Sequence, residues 1–312
     1  MTQLRVAVVG AGPMGRLHAR TVARSAARDR DCALAAIVDR HAVRADHLAR
    51  EYGVAAVDDL RRLRDVDAAI VAVPTAAHVE TALVLVEAGL DVLVEKPLAN
   101  VLADAARLVE RAEALGRILQ VGHVEWYNPL WRAALARVGL PRSIRVQRLQ
   151  PPAERGLDID VVQDLMLHDL DWVTRALGGE VESCEASGRG RVGSGLDEAE
   201  VLLRFRSGCV ARLEASRVHG RRERTLAIEG SLGTQRVDLL GAGEETSDLS
   251  QGALDPLGSQ WRGFVEAVQS RKPPENDGRV GLAALRWVER VRAAIRAGET
   301  GEGGGHDSLV GG

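Results

Sequence analysis

Short apolar runs alternate with longer stretches of helical periodicity through the first third of the chain. "RVAVV" (5–9) reads as a buried strand, and a glycine-rich turn and the amphipathic run "GRLHARTVARSA" follow it. The pattern then repeats. "CALAAIVD" (32–39), "AAIVAVP" (68–74), "DVLVEKP" (91–97) and "ILQVGH" (118–123) read as strands. Between them, "RADHLAREYG", "AAHVETALVLVEAGL" and "LADAARLVERAEALG" carry the 3.6-residue period of helices. Gly53 and Gly89 stand where a helix ends. Strands alternating with helices of this length predict a parallel sheet covered by helices.

The rhythm changes after residue 123. "VVQDLMLHDLDWVTRAL" (161–177) reads as a helix. Residues 200–218 read as two strands about Ser207-Gly208, and 225–240 as two more about Gly230–Gly233. Residues 259–270 and 279–297 return to helical periodicity. The expected fold class is therefore α/β: a Rossmann-type parallel sheet over 1–122, then an α+β domain on an open, mostly antiparallel sheet over 123–297. The glycine-rich segment 298–312 is expected to be a disordered tail. No internal repeat is visible.

A chain of 312 residues, 46% hydrophobic, can build two cores. Its formal charge of −3 gives no basic surface for nucleic acid or anionic membrane, so neither is expected as a partner. Arg221, Arg222 and Arg224 read as a solvated turn. Cys32, Cys184 and Cys209 are odd in number and widely spaced, which predicts reduced thiols, a cytoplasmic protein and no metal site. No apolar run reaches the ~18 residues of a membrane span, and "MTQLRVAVVGAGPMG" has no signal-peptide pattern.

The first turn carries Gly10, Gly12 and Gly15, with Pro13 and Met14 between the last two. This G-x-G-x-x-G spacing follows a strand and opens a helix. Gly10 permits the tight turn, Gly12 lets backbone approach a pyrophosphate, and Gly15 lets helix pack on strand. The helix N-terminus presents N–H groups to the phosphates. Asp39, 24 residues after Gly15 at the end of the second strand, suits an adenosine ribose and repels a 2′-phosphate. NAD is thus expected ahead of NADP, although Arg40 beside it could hold that phosphate.

Lys96 falls at the carboxyl end of the fourth strand, where ligands bind in parallel α/β sheets. Partial burial there would let it share a proton with a substrate oxygen. Asp164, His168 and Asp171 are spaced by four and three residues, which puts them on one helical face. Two carboxylates and an imidazole make a poor core surface unless they line a polar cavity.

The glycine motif, "VAVPTAAH" (71–78), "EKPLA" (95–99) and "DLMLHDLD" (164–171) together resemble the glucose–fructose oxidoreductase, inositol dehydrogenase and MocA family, across about residues 4–297. The resemblance implies a nicotinamide-binding Rossmann domain, with a second domain whose open sheet often mediates oligomers, here a homodimer or homotetramer. It implies that Pro74 and His78 lie along the cofactor and Glu95 beside the nicotinamide ribose. Lys96 would meet the reacting hydroxyl, His168 would act as general base, and Asp164 would orient substrate or lysine. Many relatives have glycine where this chain has Met166.

"VGHVEWYNP" (121–129) and "DIDVVQDLMLHDLD" look like the subgroup that acts on nucleotide-linked amino sugars, at C3 of UDP-N-acetylglucosamine. Relatives there commonly carry an arginine–aromatic pair where this chain has Trp126-Tyr127. His123, Trp126, Tyr127, Asn128 and Asp171 are then candidate substrate residues, with domain-junction packing the other role open to the aromatics. A free polyol such as inositol is the alternative substrate. A non-catalytic NAD-binding regulator is the alternative class.

Overall fold

The apolar runs near the N-terminus are rich in small and β-branched residues and nearly free of polar alternation, as strands covered on both faces require. In the computed structural model they form one parallel sheet. The structure describes residues 3–152, 159–191, 195–240 and 255–302. The chain divides into two compact units: Met1–Tyr127 with Asp255–Leu285, and Asn128–Leu254 with Arg286–Gly312.

In the first unit the strands are β1 (Leu4–Val9), β2 (Cys32–Val38), β3 (Ala55–Val57), β4 (Ala68–Val71), β5 (Asp91–Val94) and β6 (Leu119–Val121). They pair in parallel in the order β3-β2-β1-β4-β5-β6. The helices between them are α1 (Pro13–Asp29), α2 (Ala42–Tyr52), α3 (His78–Glu87) and α4 (Leu102–Ala114). Strand order reverses between β1 and β4, and a crevice forms outside the carboxyl ends at such a switch point. Strand β3 has no counterpart in the apolar pattern: it is three residues long and none of them is buried.

The second unit begins with α5 (Pro129–Val138) and β7 (Pro141–Leu149). A π-helical turn, Val162–Met166, leads into α6 (Leu167–Leu177). Strands β8 (Val181–Arg189), β9 (Glu198–Phe205), β10 (Val210–Ser216), β11 (Glu223–Gly230) and β12 (Gly233–Asp238) complete it. The sheet order is β12-β11-β7-β10-β9-β8, antiparallel except for β7 beside β10. One face of this sheet is buried through Ile144, Val146, Val201, Leu203 and Leu213. Trp131 of α5 and Trp172 of α6 are both buried, their ring centroids 4.1 Å apart. Arg221 and Arg222 are exposed, but Arg224 is half-buried within β11 rather than in a turn.

The chain then forms α7 (Pro256–Ser270) and α8 (Gly278–Glu302). Asp255 caps α7 by accepting the Gly258 N–H at 2.9 Å. Trp261, Phe264, Val265 and Val268 of α7 enter the same core as Val6, Val8, Ile37, Ile70 and Leu93. Residues 255–285 therefore group with the first unit, whereas a contiguous division assigns them to the second. Residues 298–302 continue α8 instead of starting a tail; 303–312 lie outside the described residues. Cys32 and Cys209 are buried, Cys184 is half-buried, and all three are unpaired thiols. Burial pushes the Cys32 thiol up to about 11. Among the described residues no helix is long and apolar enough to cross a membrane.

Candidate active site

The three glycines of the first turn meet different surroundings. Gly10 has φ +104°, and a Cβ there would come within 2.4 Å of the Ala72 carbonyl oxygen. A Cβ on Gly15 would lie 1.7 Å from the Gly10 carbonyl oxygen. Both positions are closed by this protein's own backbone. Around Gly12, by contrast, an added Cβ meets no protein atom within 4 Å, and φ is an ordinary −74°. The space above Gly12 is the cradle a dinucleotide phosphate needs, and it lies at the N-terminus of α1, which has no side-chain cap. Pro13 takes the first helical turn and is exposed, as is Met14.

Asp39, at the end of β2, binds that turn. Its Oδ2 accepts the Ala11 N–H at 2.8 Å and its Oδ1 the His41 N–H at 2.8 Å. A carboxylate oxygen can accept more than one hydrogen bond, so the ribose role expected of Asp39 is compatible with this anchoring. Arg40 is exposed beside it.

The ends of β4 and β5 supply the next group. Pro74 is exposed and opens a 3₁₀ turn, Thr75–Ala77. Lys96 is half-buried, and the Lys96–Pro97 peptide is cis. Glu95 is buried, and its Oε2 accepts the Lys96 N–H at 3.2 Å. His18, from the inner face of α1, is also buried and donates from Nε2 to Glu95 Oε1 at 2.6 Å. Burial alone pushes the Glu95 carboxyl up. The hydrogen bond from His18 and the charges of His18 and Lys96 more than offset this and hold it below its usual range.

His78, expected along the cofactor, is held between backbone carbonyls. It is buried, with Nδ1 2.8 Å from the Pro97 carbonyl oxygen and Nε2 2.9 Å from that of Val73. Burial pushes this imidazole down in spite of the two carbonyl acceptors. It lies between the loops after β4 and β5, with each ring nitrogen facing a backbone carbonyl, and its single N–H in the neutral form can donate to one of them.

Residues 121–127 are built into the first unit. The His123 carbonyl accepts from Asn276 Nδ2 at 2.9 Å, and the His123 side chain is buried. Trp126 Nε1 donates to Glu275 Oε2 at 2.6 Å. The Tyr127 ring packs so closely on α7 that a Cβ on Gly263 would lie 3.2 Å from its hydroxyl. Two of these contacts are hydrogen bonds and the third is ring packing, all within the first unit. Asn128, in the second unit, caps α5 through Oδ1, which accepts the Leu130 N–H at 3.1 Å. That position serves the helix terminus.

In the second unit Asp164 and His168 are both half-buried, on the π-turn and the start of α6. π-Turns inside helices are frequent at functional sites. Asp171 is buried and sits 3.3 Å from Arg175 Nη1, so its carboxylate has an intrahelical partner. Met166 is fully buried. Sequence reasoning missed Asp169, also on α6. It is buried and accepts two hydrogen bonds from Arg148 of β7, at 2.9 and 2.5 Å. It missed His18 as well. The signal available was a histidine on the same helical face as Gly15, Ala19 and Val22.

A Rossmann sheet with an open phosphate cradle, a strand-end carboxylate and a Glu-Lys-Pro strand end defines a nicotinamide-dependent oxidoreductase. Residues 4–123 match the oxidoreductase family with an NAD-binding Rossmann fold, and residues 104–236 match the GFO/IDH/MocA C-terminal domain. The chain belongs to the GFO/IDH/MocA oxidoreductase family. It is 32% identical to the UDP-N-acetylglucosamine 3-dehydrogenase of Acidithiobacillus ferrooxidans, over 95% of this chain and 99% of that one. A crystal form of the enzyme superposes with a TM-score of 0.84 at 31% identity, covering 95% and 99% of the two chains. It is also 30% identical to the NAD-dependent scyllo-inositol 2-dehydrogenase of Bacillus subtilis, over 79% of this chain and 80% of that one. Myo-inositol 2-dehydrogenase of Thermotoga maritima is 28% identical over 90% and 93%.

Proposed function

We propose that the protein oxidises a ring hydroxyl of a nucleotide-linked amino sugar, with C3 of UDP-N-acetylglucosamine the leading substrate. The observation that carries this reading is the end-to-end similarity to UDP-N-acetylglucosamine 3-dehydrogenase, which spans nearly all of both chains. The bound nicotinamide supplies a hydride acceptor at its C4. His168 takes the hydroxyl proton as hydride leaves the ring carbon, giving a ketone. Lys96 stabilises the developing oxyanion, and Asp164 orients the reacting groups. Asp39 favours NAD over NADP by meeting the adenosine ribose with a carboxylate. The protein acts as a cytoplasmic homo-oligomer in this reading.

Lys96→Met is expected to bind NAD within about threefold of the wild type, while turnover falls by roughly 10²–10⁴-fold, the usual worth of acid–base assistance. Unchanged turnover would remove Lys96 from the chemistry. A second reading, a free polyol substrate, is favoured by the two inositol dehydrogenases the chain resembles. Absorbance at the NADH band, with UDP-N-acetylglucosamine, UDP-galactose and myo-inositol each offered with NAD and with NADP, separates the two. The leading reading fails if the polyol is turned over and the nucleotide sugars are not.

A further inference from the structure

We infer that His18 is a positioning residue for Lys96, acting through the buried Glu95 carboxylate and setting the glycine-turn helix and the lysine loop as one body. The inference rests on the proposed role of Lys96 and adds a residue that touches neither sugar nor lysine side chain. The geometry is a relay: His18 Nε2 to Glu95 Oε1 at 2.6 Å, then Glu95 Oε2 to the Lys96 N–H at 3.2 Å. Gly122, the residue after β6, leaves this carboxylate the room it occupies. A Cβ on Gly122 would already lie 3.0 Å from Oε2 and 3.1 Å from the Glu95 Cα. His78 fixes the far side of the lysine by its contacts to the Pro97 and Val73 carbonyls. The ionisable groups facing Glu95 are His18 from α1, Lys96 next in the chain, and His78 from α3.

The consequence is a defined response to pH. In the wild type the hydrogen bond from His18, with help from Lys96, holds the buried Glu95 carboxyl below its usual range against its own desolvation. Without His18, desolvation dominates and the carboxyl takes up a proton as pH falls, which removes the negative charge beside Lys96. The test compares wild type, His18→Gln and His18→Leu. Turnover of UDP-N-acetylglucosamine and of myo-inositol with NAD is followed against pH, and the protonated carboxyl band by infrared spectroscopy, with His18→Leu/Glu95→Gln as the blank.

In His18→Leu a carboxyl band should grow in as pH falls. Turnover should drop about tenfold per pH unit below that transition and recover in alkali. His18→Gln keeps a neutral donor and should shift in the same direction by less, so it suffices if His18→Leu does not fold. Turnover lowered by one factor at every pH, or no carboxyl band in either variant, would overturn the inference and leave His18 a packing residue. Indifference of Lys96→Met would instead overturn the role of the lysine, and the infrared arm would still decide the His18–Glu95 link.

Discussion

Gly10, Gly12 and Gly15 share a motif, yet only one of them has its surroundings left open by the protein. A methyl group on Gly15 collides with a backbone oxygen that has nowhere to move, at 1.7 Å. Gly15→Ala should therefore cost more than the ~1–3 kcal/mol of ordinary overpacking, and is expected to abolish cooperative unfolding. Gly12→Ala meets nothing and keeps an allowed φ. Its stability should stay within about 0.5 kcal/mol of the wild type. Its NAD affinity should fall at least tenfold, which is about 1.4 kcal/mol, because the methyl fills the space above the turn. Calorimetric melting and NAD titration of the two variants check this. A Gly12→Ala protein with wild-type affinity would show that the phosphate path lies elsewhere.

At the scale of elements, the π-turn and α6 carry three carboxylates, of which Asp169 pairs with Arg148 and Asp171 with Arg175. Asp169 is almost fully buried and bidentate with Arg148, which joins α6 to β7. Asp169→Ala leaves the guanidinium in a site built for a carboxylate and should cost about 3–5 kcal/mol. Replacing both, Arg148→Met with Asp169→Leu, should recover most of that, since well-packed apolar pairs often equal buried ion pairs. Denaturant midpoints of the single and double variants decide the point; a double variant no more stable than the single would assign the loss to packing. The sequence placed Asp164, His168 and Asp171 on one face but gave no hint of Asp169, because its partner lies 21 residues away on an unforeseen strand.

The same physics separates what was legible from what was not. The β–α alternation of the first unit was readable because its central strands β1, β4 and β5 are apolar almost throughout and its helices have one buried face. Strand β8 was missed because no residue in it is fully buried, and β7 because it alternates Ile144 and Val146 with arginines and polar residues. In the first unit, the places of the glycine turn after β1, of Asp39 after β2 and of Lys96 after β5 were legible from the strand–helix alternation. The contacts of His78 were not legible, because its two backbone partners, Val73 and Pro97, belong to separate loops.

For the whole molecule, the feature hidden from any local pattern is the return of the chain. Trp261 and Phe264 of α7 complete the core that β1, β2 and β4 begin. Arg271 pairs with the buried Asp91 at the start of β5 and donates to the Gly116 carbonyl. Asn276 bonds the backbone on either side of Gly122: its carbonyl accepts the Val121 N–H at 2.8 Å, and its side chain reaches the His123 carbonyl. Losing one large aromatic from a core costs about 3–5 kcal/mol, and a domain of this kind has only about 5–15 kcal/mol in total. Two such aromatics therefore account for much of that margin, and the Arg271–Asp91 pair, exposed on its arginine side, adds little to it. A fragment of residues 1–127, which keeps the entire glycine motif and Lys96, is expected to lack a cooperative melt and to bind no NAD. Supplying 255–285 in the same chain through a flexible linker should restore both, as read by calorimetry and NAD titration. Cooperative unfolding with NAD binding by 1–127 alone would mean that the strands and their four helices hold the nucleotide site without the returning segment.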